Sequence, residues 1–147
     1  MSYNYDNYNW IDDNIAIGDR NSDYSNFNII VNLDYNNNQV QHHHIDMKCL
    51  NGQHIYRVGC YDSEQENIGE MINIIVPELI QYYKKNPNLK ILFHCAAGIS
   101  RSSTMAISFL CMAKYYPLSK AYILAKQKRP IINPNKGFMN YLIRMFS

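Results

Sequence analysis

The sequence predicts an α/β domain in which a central, mixed and mostly parallel sheet of four to five strands is flanked by helices. Three observations carry that prediction. Short apolar runs bounded by polar turn formers recur along the chain, with 28–33 and 89–93 the strongest, and they have the length and composition of strands. Longer stretches show helical spacing instead, above all 63–85, where Ile68, Met71, Ile72, Ile75, Leu79 and Tyr82 fall on one face. Finally, the run at 89–93 passes through a short loop straight into the helical segment 103–110, the strand-loop-helix junction of α/β proteins.

Composition bounds the organisation. The chain has 147 residues, 47% hydrophobic and 18% charged, enough for one core and too few for two, so 1–147 reads as a single domain. A net charge of +2 without a basic run gives no electrostatic reason to expect nucleic acid or a membrane surface as partner. Cys49, Cys60, Cys95 and Cys111 lack metal-ligand spacing, and neither a cofactor nor a metal is expected. No N-terminal stretch reads as a signal peptide or bilayer span. The expected location is therefore the cytoplasm, or a host cytoplasm or virion if the chain is viral. Abundant Asn, Ile, Tyr and Lys hint at an AT-rich coding sequence.

Taken in order, residues 1–10 are rich in Tyr and Asn and read as a flexible arm, a candidate homodimer contact. A first strand is expected at 14–18 and a second at 28–33, followed by an Asn-dense loop at 34–41. His42, His43 and His44 invite a metal reading. In an extended chain, however, consecutive side chains alternate faces, so the three are expected as the exposed start of a strand. Strands at 44–48 and 54–58 should form a hairpin through Asn51-Gly52. The long helix is expected over 63–85, with Glu64 and Glu66 in its first turn and Pro77 as a bend. Pro117 breaks the chain, and Ser119 reads as N-cap of a helix to Lys128. Cys111 falls on an apolar face.

The junction at His94-Cys95-Ala96-Ala97-Gly98-Ile99-Ser100-Arg101-Ser102 carries the chemistry. Backbone N–H groups of Ala96, Ala97, Gly98, Ile99, Ser100 and Arg101 can curl round a tetrahedral anion, with the following helix presenting its positive end. The same field favours a thiolate at Cys95, beneath the anion. Arg101 offers a planar fork for two phosphate oxygens that lysine cannot reproduce. Gly98 supplies a backbone conformation or closeness of approach that a side chain would obstruct. Ser102 is placed to donate to the Cys95 sulfur, and His94 to orient the cysteine backbone.

This loop resembles the signature of the cysteine-dependent protein tyrosine phosphatase superfamily, and Ala97, Ser100 and Ser102 make it similar to the dual-specificity phosphatases. The resemblance runs from about Asn14 to Phe146, with middle loops shorter than usual and no docking domain on either side. It implies a protein tyrosine phosphatase-like fold and hydrolysis of phosphotyrosine and phosphoserine/phosphothreonine in phosphoproteins through a cysteinyl-phosphate.

Such a reaction needs a carboxylic acid to protonate the leaving oxygen. Asp62, followed five residues on by Asn67-Ile68, resembles the family's acid loop. The segment from Arg129-Pro130 to Pro134-Asn135 resembles the one that supports the phosphate loop from behind, which makes Arg129 and Asn135 supporting candidates. A protonated Asp62 beside an ionised Cys95 implies a bell-shaped, somewhat acidic pH optimum. The alternatives are an RNA 5′-triphosphatase on the same scaffold and a non-catalytic phosphoprotein-binding module. Cys60, near the acid loop, is a candidate to trap an oxidised Cys95 as a disulfide.

Overall fold

The computed structural model describes residues 6–147. Six strands form one sheet: β1 (Tyr8–Trp10), β2 (Ile15–Gly18), β3 (Ile29–Asn32), β4 (Ile45–Leu50), β5 (Gln53–Val58) and β6 (Ile91–His94), in the order β1-β2-β6-β3-β5-β4. The inner pairs β2/β6, β6/β3 and β3/β5 are parallel, and the two outer pairs are antiparallel. The helices are α1 (Tyr35–Asn38), α2 (Ile68–Lys85), α3 (Arg101–Lys114), α4 (Leu118–Lys128) and α5 (Lys136–Phe146).

The sheet exceeds the expected four to five strands because Tyr8–Trp10 is a strand and not a flexible arm. Its ladder with β2 pairs Asn9 with Ile17, and Tyr8 and Trp10 pack edge-on and tilted against Phe27 at centroid distances of 5.1 and 5.0 Å. Ring packing of this kind offsets the ordering entropy that a polar composition alone suggests would win. The remainder of the expected arm and dimer contact, residues 1–5, lies outside the described residues.

Side-chain alternation sorts the strands onto two faces. Ile15, Ile17, Ile29, Val31, Ile91 and Phe93 enter the main core beneath the helices, whereas Ala16, Ile30 and Leu92 face a smaller cluster closed by Phe27, Tyr8, Trp10 and Tyr24. The fully buried β6 is thereby held between parallel neighbours, which places its C-terminal end, and the loop that follows, at the carboxyl edge of the sheet. Asn14 fixes the other end by donating Nδ2 to the carbonyls of Pro87 and Leu89, both at 2.8 Å.

Several local expectations are corrected. The helix expected from residue 63 begins at Ile68, since residues 62–67 stay in the loop. Glu64 and Glu66 are therefore loop residues, and Glu70 is the acid in the first turn. The stretch at 34–41 contains α1, whose Asn38 donates to the carbonyls of Asn32 and Val58. Ser119 lies inside α4, with Pro117 as the cap residue, in keeping with the proline's fixed extended backbone. The histidines occupy a turn, and β4 starts only at Ile45. Pro77 sits on the exposed side of α2, which continues through it from Ile68 to Lys85. The hairpin turn is as expected: Asn51 and Gly52 have φ of 53° and 80°, the left-handed pair that suits the twist of its strands.

Candidate active site

The loop between β6 and α3 is organised by a division between its carbonyls and its N–H groups. Every carbonyl from Ala96 to Ser100 is held from behind: Ala96 by Arg20 N at 3.2 Å, Ile99 by Asn133 N at 2.7 Å and Ser100 by Thr104 N at 3.0 Å. The carbonyls of Ala97 and Gly98 accept from Arg129 Nη2 and Nε at 3.3 and 2.9 Å. By contrast, no backbone N–H from Ala96 to Arg101 donates to another described residue. Ser100, at the N-cap of α3, makes no side-chain cap bond either, so the first-turn donors stay unused. A concave run of unpaired N–H groups over a helix N-terminus is an anion cradle. Gly98 makes the curl possible with a φ of 67°. A Cβ there would also stand 2.6 Å from both Arg129 Nη2 and the Gly18 carbonyl.

Cys95 lies under the loop, 2% exposed, with Sγ 3.2 Å from Ser102 Oγ. Arg101 Nη1 donates to the carbonyls of Leu33 and Cys60, both at 3.0 Å, while its Nε is buried without a partner among the described residues. A guanidinium pinned at one corner with an unused N–H beside an anion cradle is set for an oxyanion.

Asp62 is exposed on the loop between β5 and α2, and its Oδ1 accepts from Asn135 Nδ2 at 2.9 Å. Asn135 reaches three elements at once. Its backbone N donates to Ser100 Oγ at 2.9 Å, and its Oδ1 caps α5 by accepting from Phe138 N at 2.9 Å. The structure thus joins the expected acid to the phosphate loop through a residue expected only to support that loop.

Residues 15–147 match the model of the dual specificity phosphatase catalytic domain. The chain belongs to the dual specificity phosphatase family. A protein of Invertebrate iridescent virus 6, provisionally named tyrosine phosphatase 123R, is 36% identical over 129 residues, which cover 88% of this chain and 81% of the viral one. Human dual specificity protein phosphatase 4 is 35% identical over 94 residues, 63% of this chain but 24% of that protein. The crystal structure of human DUSP28 has the same fold, with a TM-score of 0.78 at 18% identity over 98% of this chain and 95% of that one. This dual specificity phosphatase is accordingly a cysteine-dependent protein phosphatase.

Behind the phosphatase loop, His94 is buried, with Nε2 2.6 Å from the Tyr24 hydroxyl. Burial pushes its imidazole down to about 4, against about 6.5 for an unfolded histidine. Between those values the unfolded chain takes up a proton that the folded chain refuses. The group's contribution is therefore complete above about pH 6.5 and is lost as pH falls toward 4, about 3 kcal/mol at roughly 1.4 kcal/mol per unit. The His94 ring signals should accordingly stay at their neutral positions in NMR spectra down to about pH 5. A midpoint near 6.5 would show instead that the ring is solvated.

Tyr24 and Arg20 escape sequence reasoning because each acts across a long sequence separation and carries no motif, whereas Asn133 lies within the segment expected to support the loop. Arg20 is itself oriented by the buried Asp34, with Nε 3.0 Å from Oδ2. Among the cysteines, all four are free. Burial and the nearby Glu66 carboxylate push the Cys60 thiol well up, which suppresses the thiolate that disulfide exchange needs. Its carbonyl, which accepts from Arg101, is what the site uses. No helix among the described residues is long and apolar enough to cross a membrane.

Proposed function

We propose that the chain hydrolyses phosphotyrosine and phosphoserine/phosphothreonine monoesters in phosphoproteins through a cysteinyl-phosphate on Cys95. The observation that carries this reading is the loop at Ala96 to Arg101, with the carbonyls of Ala96 to Ser100 engaged behind it and its N–H groups unused among the described residues, set over the Cys95 thiol. The thiolate attacks phosphorus, an S–P bond forms, and the P–O bond to the substrate breaks as Asp62 delivers its proton to the leaving oxygen. Arg101, through Nε, and the loop amides of Ala96, Ala97, Gly98, Ile99 and Ser100 carry the charge on the equatorial oxygens. Water then attacks phosphorus while Asp62 takes its proton, and Ser102 donates to the departing thiolate. Asn135 holds Asp62 in place, while His94, whose ring bonds Tyr24 and leaves Nδ1 without a partner among the described residues, supports Cys95 by packing at the end of β6. The positive charge of Arg101 and the backbone dipoles does the work a metal ion would do. We place this chemistry in the cytoplasm, where a reducing environment keeps the thiol free.

Release of phosphate from matched phosphotyrosine and phosphothreonine peptides tests the reading; turnover of both is expected. Turnover of phosphotyrosine alone would narrow the specificity, and binding of both without turnover would favour the phosphoprotein-binding module. Asp62→Asn should lower turnover of phosphothreonine peptides by roughly 10²–10⁴-fold. An aryl ester with a good leaving group should lose far less, because it needs little protonation. Asn135→Ala should shift kcat in the same leaving-group-dependent sense but more weakly. Equal losses for the two leaving groups would remove Asp62 from the acid role.

A further inference from the structure

Beside the acid loop, three ligand-type side chains converge that the phosphatase reaction does not use. His42 Nε2 lies 2.8 Å from Glu66 Oε2, and His43 Nε2 lies 2.9 Å from Glu66 Oε1. The three donor atoms fall within 4.8 Å of one another. Adjacent residues reach one point because His43 adopts a φ of 64°, a left-handed conformation that brings both rings to the same side where an extended chain would separate them. The imidazole centroids are 4.1 Å apart. His44 is left outside the cluster, its Nδ1 3.2 Å from the His42 carbonyl.

We infer that His42, His43 and Glu66 form a binding site for a divalent transition-metal ion of the zinc type. Two imidazole nitrogens and one carboxylate oxygen suit zinc, cobalt or nickel, whereas calcium and magnesium require a mostly oxygen shell. Three protein ligands leave a fourth position for water. The Glu66 side chain is only 3% exposed, and among the described residues its carboxylate is bonded by nothing but the two histidines. The imidazoles are 35% and 37% exposed, so an ion can enter from solvent and take the place between the ring nitrogens and the carboxylate, with neutral imidazole as the ligand.

The surroundings fit the ion as well. Glu70 Oε2 stands 3.5 Å from His43 Nδ1, a second carboxylate that adds negative charge beside a bound cation. Tyr61 stacks on His42 at a centroid distance of 3.9 Å and an interplanar angle of 12°. Tyr61 precedes Asp62, so an ion here ties the histidine turn to the loop that carries the expected acid.

The test is a titration of the full chain carrying Cys49→Ser and Cys95→Ser, which removes the exposed thiol and the thiol under the phosphate loop as competing ligands. Cobalt(II) should bind at one equivalent and give the intense visible bands of a four-coordinate ion, and zinc should displace it. His42→Gln, His43→Gln and Glu66→Gln should each weaken zinc binding at least about tenfold, and His44→Gln should leave it unchanged. If Glu66→Gln does not fold, His42→Gln and His43→Gln, both half-exposed, carry the comparison. Absence of a saturable single equivalent, or zinc affinity unchanged in His42→Gln and His43→Gln, would overturn the site.

Discussion

Cys95→Ser should reduce phosphate release by roughly 10⁴-fold or more, the scale seen when a nucleophile is removed from a cooperating site. The hydroxyl fits, since Cys95 is 2% exposed and its sulfur already faces Ser102 Oγ at 3.2 Å. It fails chemically, because a serine hydroxyl is far less ionised at neutral pH than a thiol in the same field. The cradle does not depend on the sulfur: the loop carbonyls are held by Arg20, Arg129, Asn133 and Thr104. The variant should therefore still bind phosphopeptide, which separates lost chemistry from a lost site. Arg101→Lys provides the contrast. It removes the planar fork and the Nη1 contacts to Leu33 and Cys60, so both binding and turnover should fall, the latter by about 10²–10³-fold. Rapid-quench detection of a phosphoenzyme in wild type and its absence in Cys95→Ser would complete the assignment. Substantial turnover by Cys95→Ser would refute the cysteinyl-phosphate route.

That the reacting loop is legible in the sequence has a physical basis. His94, Cys95, Gly98, Arg101 and Ser102 are close in the chain, and each is restricted to its residue type by its own local task. The inner strands are legible for a similar reason, since burial on both faces demands continuous apolar runs such as Ile29–Asn32 and Ile91–His94. What fails to show is whatever depends on a distant partner. Tyr8–Trp10 becomes a strand only because Ile15–Gly18 offers an edge and Phe27 offers a ring to pack on. Residues 63–67 look helical in composition, yet Glu66 is drawn out of the helix by two histidines more than twenty residues earlier in the chain. The histidine turn is misread because a period-two argument holds only for extended backbone, and His43 is left-handed. Arg129 is legible as a supporting candidate, but its reach to Asn9 on the N-terminal strand is not.

Arg129→Ala should be the most destabilising single substitution among the supporting residues, by about 3–5 kcal/mol. The side chain is 1% exposed. Nε and Nη2 bond the Gly98 and Ala97 carbonyls, and Nη1 bonds the Asp6 carbonyl and Asn9 Oδ1 at 2.9 and 2.7 Å. Burial lowers the guanidinium below its ordinary range, though arginine remains charged at any working pH. Truncation would leave buried carbonyls without donors, at about 1–3 kcal/mol each, and open a cavity besides. For a chain of this size the melting temperature should fall by about 10 °C or more. The functional effect follows from the same bonds. If the Ala97 and Gly98 carbonyls are released, their peptide planes can rotate, and the N–H groups they aim at the anion turn with them. Inorganic phosphate binding should therefore weaken in Arg129→Ala even at temperatures where the fold persists. Arg129→Lys, which keeps the charge but offers one compact donor group in place of a fork, should recover part of the stability and little of the anion affinity. A melting temperature within about 3 °C of wild type for Arg129→Ala, or unchanged phosphate affinity in the folded variant, would mean that the loop holds its curvature without this residue.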